Sequence, residues 1–330
     1  MPMSALRLLA AVAAATLSLG VGLYAIASIG FGRDGRADTL ASFTPFAAGL
    51  AAAGALTAWF AFGPGPVAAM LLALNGVAAA LSLRSLAPEL LRLRPAGRCE
   101  QPALRVLSGN LYWANPLGGQ AVATILARDP DAVLLQEAGR RLAPFLAGLE
   151  ARYPHVAICR HAGLRIYTKS PMVAHQCNCD QAETPRGRLL TASIRLSDDA
   201  IVTLATTHLS HPYRGDVQAR ERSAIAAAVD RLDRLHLVLG GDFNLPAWSP
   251  GMRRQDRMLA PLRRWTVAWF TWPSRLPGLK LSWPLPLLPI DQLYAGPAWR
   301  QVRLRRVRIP GSDHFATEAA LCRAPADRIE

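Results

Sequence analysis

Asp242 and Asn244 lie one residue apart in the run Gly240-Gly241-Asp242-Phe243-Asn244, directly behind the apolar segment Leu237-Val238-Leu239. A buried strand that ends in two glycines, an acid and an amide delivers those groups to the carboxyl edge of a sheet, where open α/β sheets place their sites. The carboxylate and the neutral amide share one side and can face one phosphate. About seventy residues later Ser312-Asp313-His314 adds an acid and an imidazole. Acids, amides and imidazoles in this combination suit metal-dependent phosphoester hydrolysis. A hard cation such as Mg²⁺ (or Mn²⁺) takes oxygen ligands and keeps several waters, so one or two carboxylates suffice. An imidazole whose second nitrogen is held by a carboxylate can orient or deprotonate an attacking water.

The elements that must position these groups are strand-like apolar runs, each with a polar residue at its end. Arg105-Val106-Leu107-Ser108-Gly109 leads to Asn110, and Ala132-Val133-Leu134-Leu135-Gln136 leads to Glu137. The run from Ile201 to Thr207 leads to His208, and Leu288-Pro289-Ile290 leads to Asp291. Taken singly, each has a structural reading: Asp-x-Asn after Gly-Gly makes a turn, Glu137 opens a helix, and a lone histidine is ordinary. The ordered series N, QE, THL, GDFN, ID and SDH reverses those odds.

With this series the chain resembles the endonuclease/exonuclease/phosphatase superfamily over about residues 103–322, and the segment from Gly163 to Pro171 fits a further strand of that family. The resemblance implies an α/β four-layer sandwich, two mixed β-sheets face to face with helices outside. It implies a metal held by Glu137 with Asn110 and Asp313, and catalytic roles for His208, Asp242, Asn244, Asp291 and His314. Of these, His314 with Asp291 forms the water-activating pair, and Asp242 and Asn244 hold phosphoryl oxygens or the attacking water. In the deoxyribonuclease, sphingomyelinase and inositol-phosphate branches, a histidine placed like His208 protonates the leaving oxygen, which disfavours an abasic-site reading. Arg188 and Lys169 are candidate substrate contacts.

The first ninety-odd residues have no part in that chemistry. Leu8–Gly32 and Thr39–Leu83 are runs of 25 and 45 residues without a charge, the second broken by Gly63-Pro64-Gly65-Pro66. At about 20 apolar residues per span, they predict three transmembrane helices within an anchor of residues 1–95, followed by a catalytic domain of residues 96–330. A linker of roughly fifteen residues after Leu83, containing Pro88 and Pro95, keeps the domain near the bilayer. Arg33, Arg36 and the arginines after the third span tilt the expectation toward the cytoplasmic side by the positive-inside rule, while the resemblance to membrane-anchored bacterial members that face outward, where lipid-linked phosphates are accessible, leaves the opposite side open.

The chain carries 37 basic and 23 acidic residues, of which six and three fall in residues 1–95; the remainder is therefore 31 against 20, a net +11. That charge suits a phosphoester substrate or an anionic membrane surface, although Arg supplies 35 of the 37 basic residues and reads equally as a coding bias. Five cysteines are an odd count in a large domain and predict no disulfide framework. His175-x-Cys177-x-Cys179 lacks the second ligand cluster of a zinc site. The insert Trp248–Pro289, rich in Trp and Arg, reads as a packed cover on the second sheet's edge or as a lip that seeks the lipid interface.

The expected activity is that of a membrane-anchored phosphoesterase acting on a lipid or lipid-linked substrate. The alternatives are a membrane-tethered nuclease, with nucleic acid as partner, and an inactive binding module. No protein partner is inferable.

Overall fold

The structure, a computed structural model, describes residues 5–30, 35–92, 99, 101–178, 188–275 and 281–324. The chain divides into two compact units, Met1–Arg92 with Trp248–Met252, and Leu93–Ala247 with Arg253–Glu330.

The first unit is helical: α1 (Ala5–Gly30), α2 (Gly35–Ala41), α3 (Thr44–Phe62) and α4 (Pro66–Leu90). Three of these helices are long and apolar enough to cross a membrane. Pro64 and Pro66 separate α3 from α4 because a proline fits the first turn of a helix and not its interior. Pro88, expected in a linker, lies inside the last turn of α4, and Pro95 falls outside the described residues. Small side chains let the long helices approach closely: Val21, Ala25, Ala51 and Ala78 form one cluster, and Ala14, Ala58 and Leu71 another. Asn75, buried in this packing, donates to Ser18 Oγ (2.7 Å) and to the Leu71 carbonyl (2.8 Å). Large apolar residues such as Leu9, Leu19, Leu56 and Met70 point outward, the reverse of a water-soluble bundle. The segment Trp248–Met252 belongs to this unit through the Trp248 indole, which donates to the Ala41 carbonyl, and the Gly251 amide, which donates to Asp38.

The second unit contains two six-stranded mixed sheets. The strands are β1 (Leu104–Asn110), β2 (Ala132–Gln136), β3 (His155–Cys159), β4 (Leu164–Thr168), β5 (Met172–Cys177), β6 (Leu189–Arg195), β7 (Ile201–His208), β8 (Leu237–Asp242), β9 (Arg263–Arg264), β10 (Asp291–Ala295), β11 (Trp299–Arg308) and β12 (Phe315–Arg323). One sheet runs β11-β12-β1-β2-β4-β3 and the other β5-β6-β7-β8-β10-β9. Alternation along each strand sorts the core into layers. Leu104, Val106, Ala132, Leu134 and Ile166 face Leu190, Ala192, Leu204, Val238 and Leu293 of the opposite sheet. Leu107, Val133, Leu135 and Tyr167 point the other way, under Ala121, Val122 and Ile125 of α5 (Gly118–Arg128). Burying each such side chain contributes about 1.5–3 kcal/mol. Helices outside two facing sheets give the four layers expected from the sequence. Within the insert, Arg263 and Arg264 form β9 on the edge of the second sheet, so this part of it is a packed cover.

The cysteine reading is overturned. Cys99 pairs with Cys322, and Cys159 with Cys177. The second bond joins β3 to β5, the outermost strands of the two sheets. An odd total hides two pairs plus one remainder, and pairing depends on Cα atoms about 4.4–6.8 Å apart, here 6.4 and 5.4 Å. Spacing along the chain cannot supply that. Cys177 is thereby withdrawn from any zinc site, and Cys179 lies outside the described residues. Counting thiols tests the pairing: the denatured, unreduced protein should take up one maleimide per chain and the reduced protein five, whereas five before reduction would refute it.

Candidate active site

Six of the motif residues converge because strand direction brings their ends to one rim. β1 and β2 run parallel with Asn110 opposite Gln136, and β7 and β8 run parallel with His208 opposite Asp242. β10 and β12 run antiparallel to their neighbours and begin at the same rim, with Asp291 opposite Asp242 and with His314 just before Phe315. The two glycines of β8 are required by crowding. A Cβ on Gly241 would collide with the Thr207 carbonyl oxygen, and one on Gly240 would stand 2.7 Å from Ser108 Oγ of the facing sheet.

The Asn110 amide donates one hydrogen to Glu137 Oε1 (3.1 Å) and the other to Asp242 Oδ2 (3.0 Å). It thereby links a carboxylate of the first sheet to one of the second. The other Glu137 oxygen accepts from the Trp113 backbone (2.6 Å), and Asp242 Oδ1 accepts from the Asn244 backbone (2.8 Å). His208 Nε2 lies 3.2 Å from the Asn244 amide nitrogen, 3.6 Å from Asp242 and 3.8 Å from Glu137. His314 Nδ1 meets Asp291 Oδ2 at 2.9 Å, and its Nε2 stands 3.8 Å from Asp242 Oδ2. The pairing of His314 with Asp291 expected from the motifs is thus present as geometry.

Burial works against a charge on His314, but the carboxylates of Asp291 and Asp242 outweigh it and push its pKa up to about 10. In the metal-free protein His314 is an imidazolium at neutral pH. Because that pKa stands above the unfolded value of about 6.5, the resulting stability is complete below about pH 6.5 and is lost as the pH rises through about 10.

Several backbone positions here are strained. Glu137 and Asn244 stand at φ 54° and 49°, and Tyr112 at 62°, in the left-handed region that non-glycine residues seldom occupy. Such conformations persist where the surroundings over-determine them and cluster at functional sites.

The donor set fits a hard divalent cation. Glu137, Asp242 and Asp291 bring carboxylate oxygens, and Asp242, Asp291 and His314 offer ligand atoms that lie within 4.8 Å of one another. Asp291 Oδ1 is buried without a hydrogen-bond partner, a negative pole of the kind a cation or its water satisfies.

Two expected substrate contacts and one expected metal ligand sit differently. Lys169 follows β4 at the opposite end of its sheet, where Asp129 (2.9 Å) holds it and Asp131 lies 3.8 Å away. The structure does not bring it to the site, because β4 is antiparallel to β2 and carries its end away from Glu137. Arg188 lies 3.6 Å from Glu221, whose oxygens accept from the Ser210 backbone and hydroxyl in the loop after His208. Asp313 turns toward the insert, accepting from the Trp272 indole (3.3 Å) and, at its carbonyl, from the Ser274 backbone.

Sequence reasoning missed the residues that act through others. Ser312 Oγ donates to the Asn110 carbonyl (2.7 Å) and accepts from the His314 backbone (3.0 Å). Gln136 reaches across the sandwich to Thr206 Oγ1 (2.8 Å). Their only signal was position, one residue from Glu137 and two from His314.

Two face-to-face mixed sheets with acids, amides and paired imidazoles at one rim define a phosphoester hydrolase architecture. Residues 107–314 match the model of the Endonuclease/Exonuclease/phosphatase family, and the chain belongs to that family, whose members hydrolyse phosphoester bonds. An endonuclease/exonuclease/phosphatase from Beutenbergia cavernae is similar at 21% identity, covering 68% of this chain and 73% of that one, with a TM-score of 0.51. TDP2 of D. rerio, complexed with a single-strand DNA product, is similar at 16% identity over 66% of this chain and 98% of that one (TM-score 0.53). The human Nocturnin catalytic domain is similar at 13% identity over 72% and 99% (TM-score 0.52). These likenesses are likenesses of fold. No curated protein matches the chain.

The coupling of His314 to Asp291 is testable by NMR in chelator. Asp291→Asn should lower the His314 pKa from about 10, and the stability gap between wild type and variant should narrow as the pH is raised from 7 to 10; an unchanged titration would show that Asp291 is not the partner.

Proposed function

We propose that this protein is a membrane-anchored, divalent-metal-dependent phosphoesterase whose preferred substrate is a lipid or lipid-linked phosphoester. The observation that carries the reading is the Asn110 bridge between Glu137 and Asp242, with His208 and the His314–Asp291 pair at the same rim. Glu137 with Asn110 would hold the cation, which supplies positive charge to the phosphoryl oxygens in the transition state. Asp242 and the Asn244 amide orient the attacking water or a phosphoryl oxygen. His314, steadied by Asp291, donates to a phosphoryl oxygen while charged, and takes the water's proton only after its own Nε2 proton has passed to solvent. His208, on the Asn244 side of the cluster, gives a proton to the leaving oxygen. These donors are in place before the substrate arrives, which is where electrostatic catalysis gains most.

Three apolar helices of spanning length support the anchoring. The lipid preference rests on these helices and on the insert, where Leu281, Leu285 and Leu287 are exposed in the same segment whose Trp272 and Ser274 bond to Asp313. Exposed apolar groups beside a phosphoester site fit a substrate presented at a lipid interface. The two disulfides weigh against the cytoplasmic side suggested by the arginines, because such bonds persist in oxidising compartments. On this reading the disulfides favour a catalytic unit outside the cytoplasm.

The test is a screen of the purified full chain with Mg²⁺ or Mn²⁺ against phospholipids, lipid-linked phosphates and single- and double-stranded DNA; cleavage of DNA alone would favour the nuclease. Glu137→Gln removes the main anionic ligand and should lower turnover by at least about a hundredfold while weakening the metal response; unchanged turnover at low Mg²⁺ would dismiss Glu137 as ligand. The two histidines should separate by leaving group, since a stable leaving anion gains little from protonation. His208→Ala should lose far less rate on an aryl phosphodiester than on an alkyl one, and His314→Ala should lose heavily on both. Equal losses in folded variants would contradict this division.

A further inference from the structure

The loop after Asn110 contains two aromatic rings that the hydrolytic chemistry leaves unused. The left-handed turn at Tyr112 (φ 62°) allows consecutive backbone amides to grip both side chains of the proposed metal centre: Tyr112 N–H donates to Asn110 Oδ1 (2.8 Å) and Trp113 N–H to Glu137 Oε2 (2.6 Å). An aromatic residue seldom accepts that backbone conformation, so the turn is held by what surrounds it. The rings meet edge to face with centroids 6.2 Å apart. The Trp113 side chain is 58% exposed, an unusual position for the largest apolar residue unless it meets a ligand.

Each ring carries a guanidinium from a different part of the chain. Arg141, four residues after Glu137, lies 5.3 Å from the Trp113 centroid, and Arg275 of the insert lies 4.9 Å from that of Tyr112. A ring face attracts a cation without using its N–H donors. Neither arginine is paired with a carboxylate among the described residues. The forks therefore remain available to an anion, and a guanidinium matches phosphate geometry with two parallel hydrogen bonds.

We propose that Tyr112, Trp113, Arg141 and Arg275 form a specificity subsite for a second phosphoryl group on the substrate, so that the enzyme prefers a diphosphate ester to the corresponding monophosphate. This rests on the reading of the Glu137 centre as a phosphoesterase. In the reaction the attacking water gives up a proton as its oxygen bonds to the terminal phosphorus, the bridging P–O bond of the anhydride breaks, and the departing phosphate oxygen keeps the electron pair and takes up a proton. A diphosphate ester and water thus give two phosphate products without oxidant or reductant.

The experiment compares dodecyl diphosphate with dodecyl phosphate, using the full chain in nanodiscs with Mg²⁺ and a single-stranded 20-mer oligonucleotide as a third arm. Wild type should show a kcat/KM ratio of diphosphate to monophosphate above about ten. Arg141→Ala/Arg275→Ala should lower that ratio at least tenfold, chiefly through KM. Arg141→Lys/Arg275→Lys, which keeps the charge and loses the fork, should recover only part of it. An unchanged ratio in a double variant with the wild-type melting temperature would overturn the subsite, as would equal loss on both alkyl substrates or loss confined to the oligonucleotide. Hydrolysis of both alkyl substrates with no preference, or of the oligonucleotide alone, sinks the subsite and leaves a phosphoester hydrolase standing; hydrolysis of none of the three removes both.

Discussion

One side-chain amide holds the site together. Asn110 Nδ2 gives its two hydrogens to carboxylates from opposite sheets, Glu137 and Asp242. Buried carboxylates repel one another and lose their hydration. A neutral amide between them, with backbone N–H groups on their remaining oxygens, is what allows them to sit so close. An aspartate at 110 would have the shape and none of the donors. The facing of the two sheets, the paired glycines of β8 and the strand ends gathered at one rim all serve to bring these groups within reach.

The strained backbone follows from the same requirement. Glu137 and Asn244 both turn left-handed just beyond strand ends, where a strand continuing straight would carry the side chain past the rim. Local strain of order 1–3 kcal/mol each is offset by the core between the sheets, whose side chains are almost wholly buried. The carboxylates and amides at the rim are therefore placed by the backbone, with little left to rotamer choice. Ser312 and Gln136 add ties from each side of the sandwich.

The side chains of the candidate site were legible in the sequence because they stand at the ends of apolar strands, where hydrophobic pattern and polar terminus occur together. The strand pairing that unites them was legible only through the family resemblance, since no local pattern states which strand lies beside which. Lys169 shows the limit: a cation on a recognisable strand reads as a substrate contact until strand polarity sends it to the far end. The disulfides were illegible for a related reason, as Cys99 and Cys322 are 223 residues apart and adjacent only in space. Tyr112 and Trp113 gave no sequence signal, because their backbone amides are ones any residue possesses and their rings meet arginines distant in the chain.

The bond between Cys99 and Cys322 makes the catalytic unit a closed covalent loop. Cys99 stands where the chain arrives from the helical segment, and Cys322 lies on β12, which pairs with β1. A mechanical load arriving along the incoming chain meets this sulfur link before it meets β1. Tension is passed to β12 and shared across the ladder, instead of peeling β1 away one hydrogen bond at a time. A pull on the incoming chain is thus taken up by two paired strands together, at the end of the sheet away from the Asn110 rim.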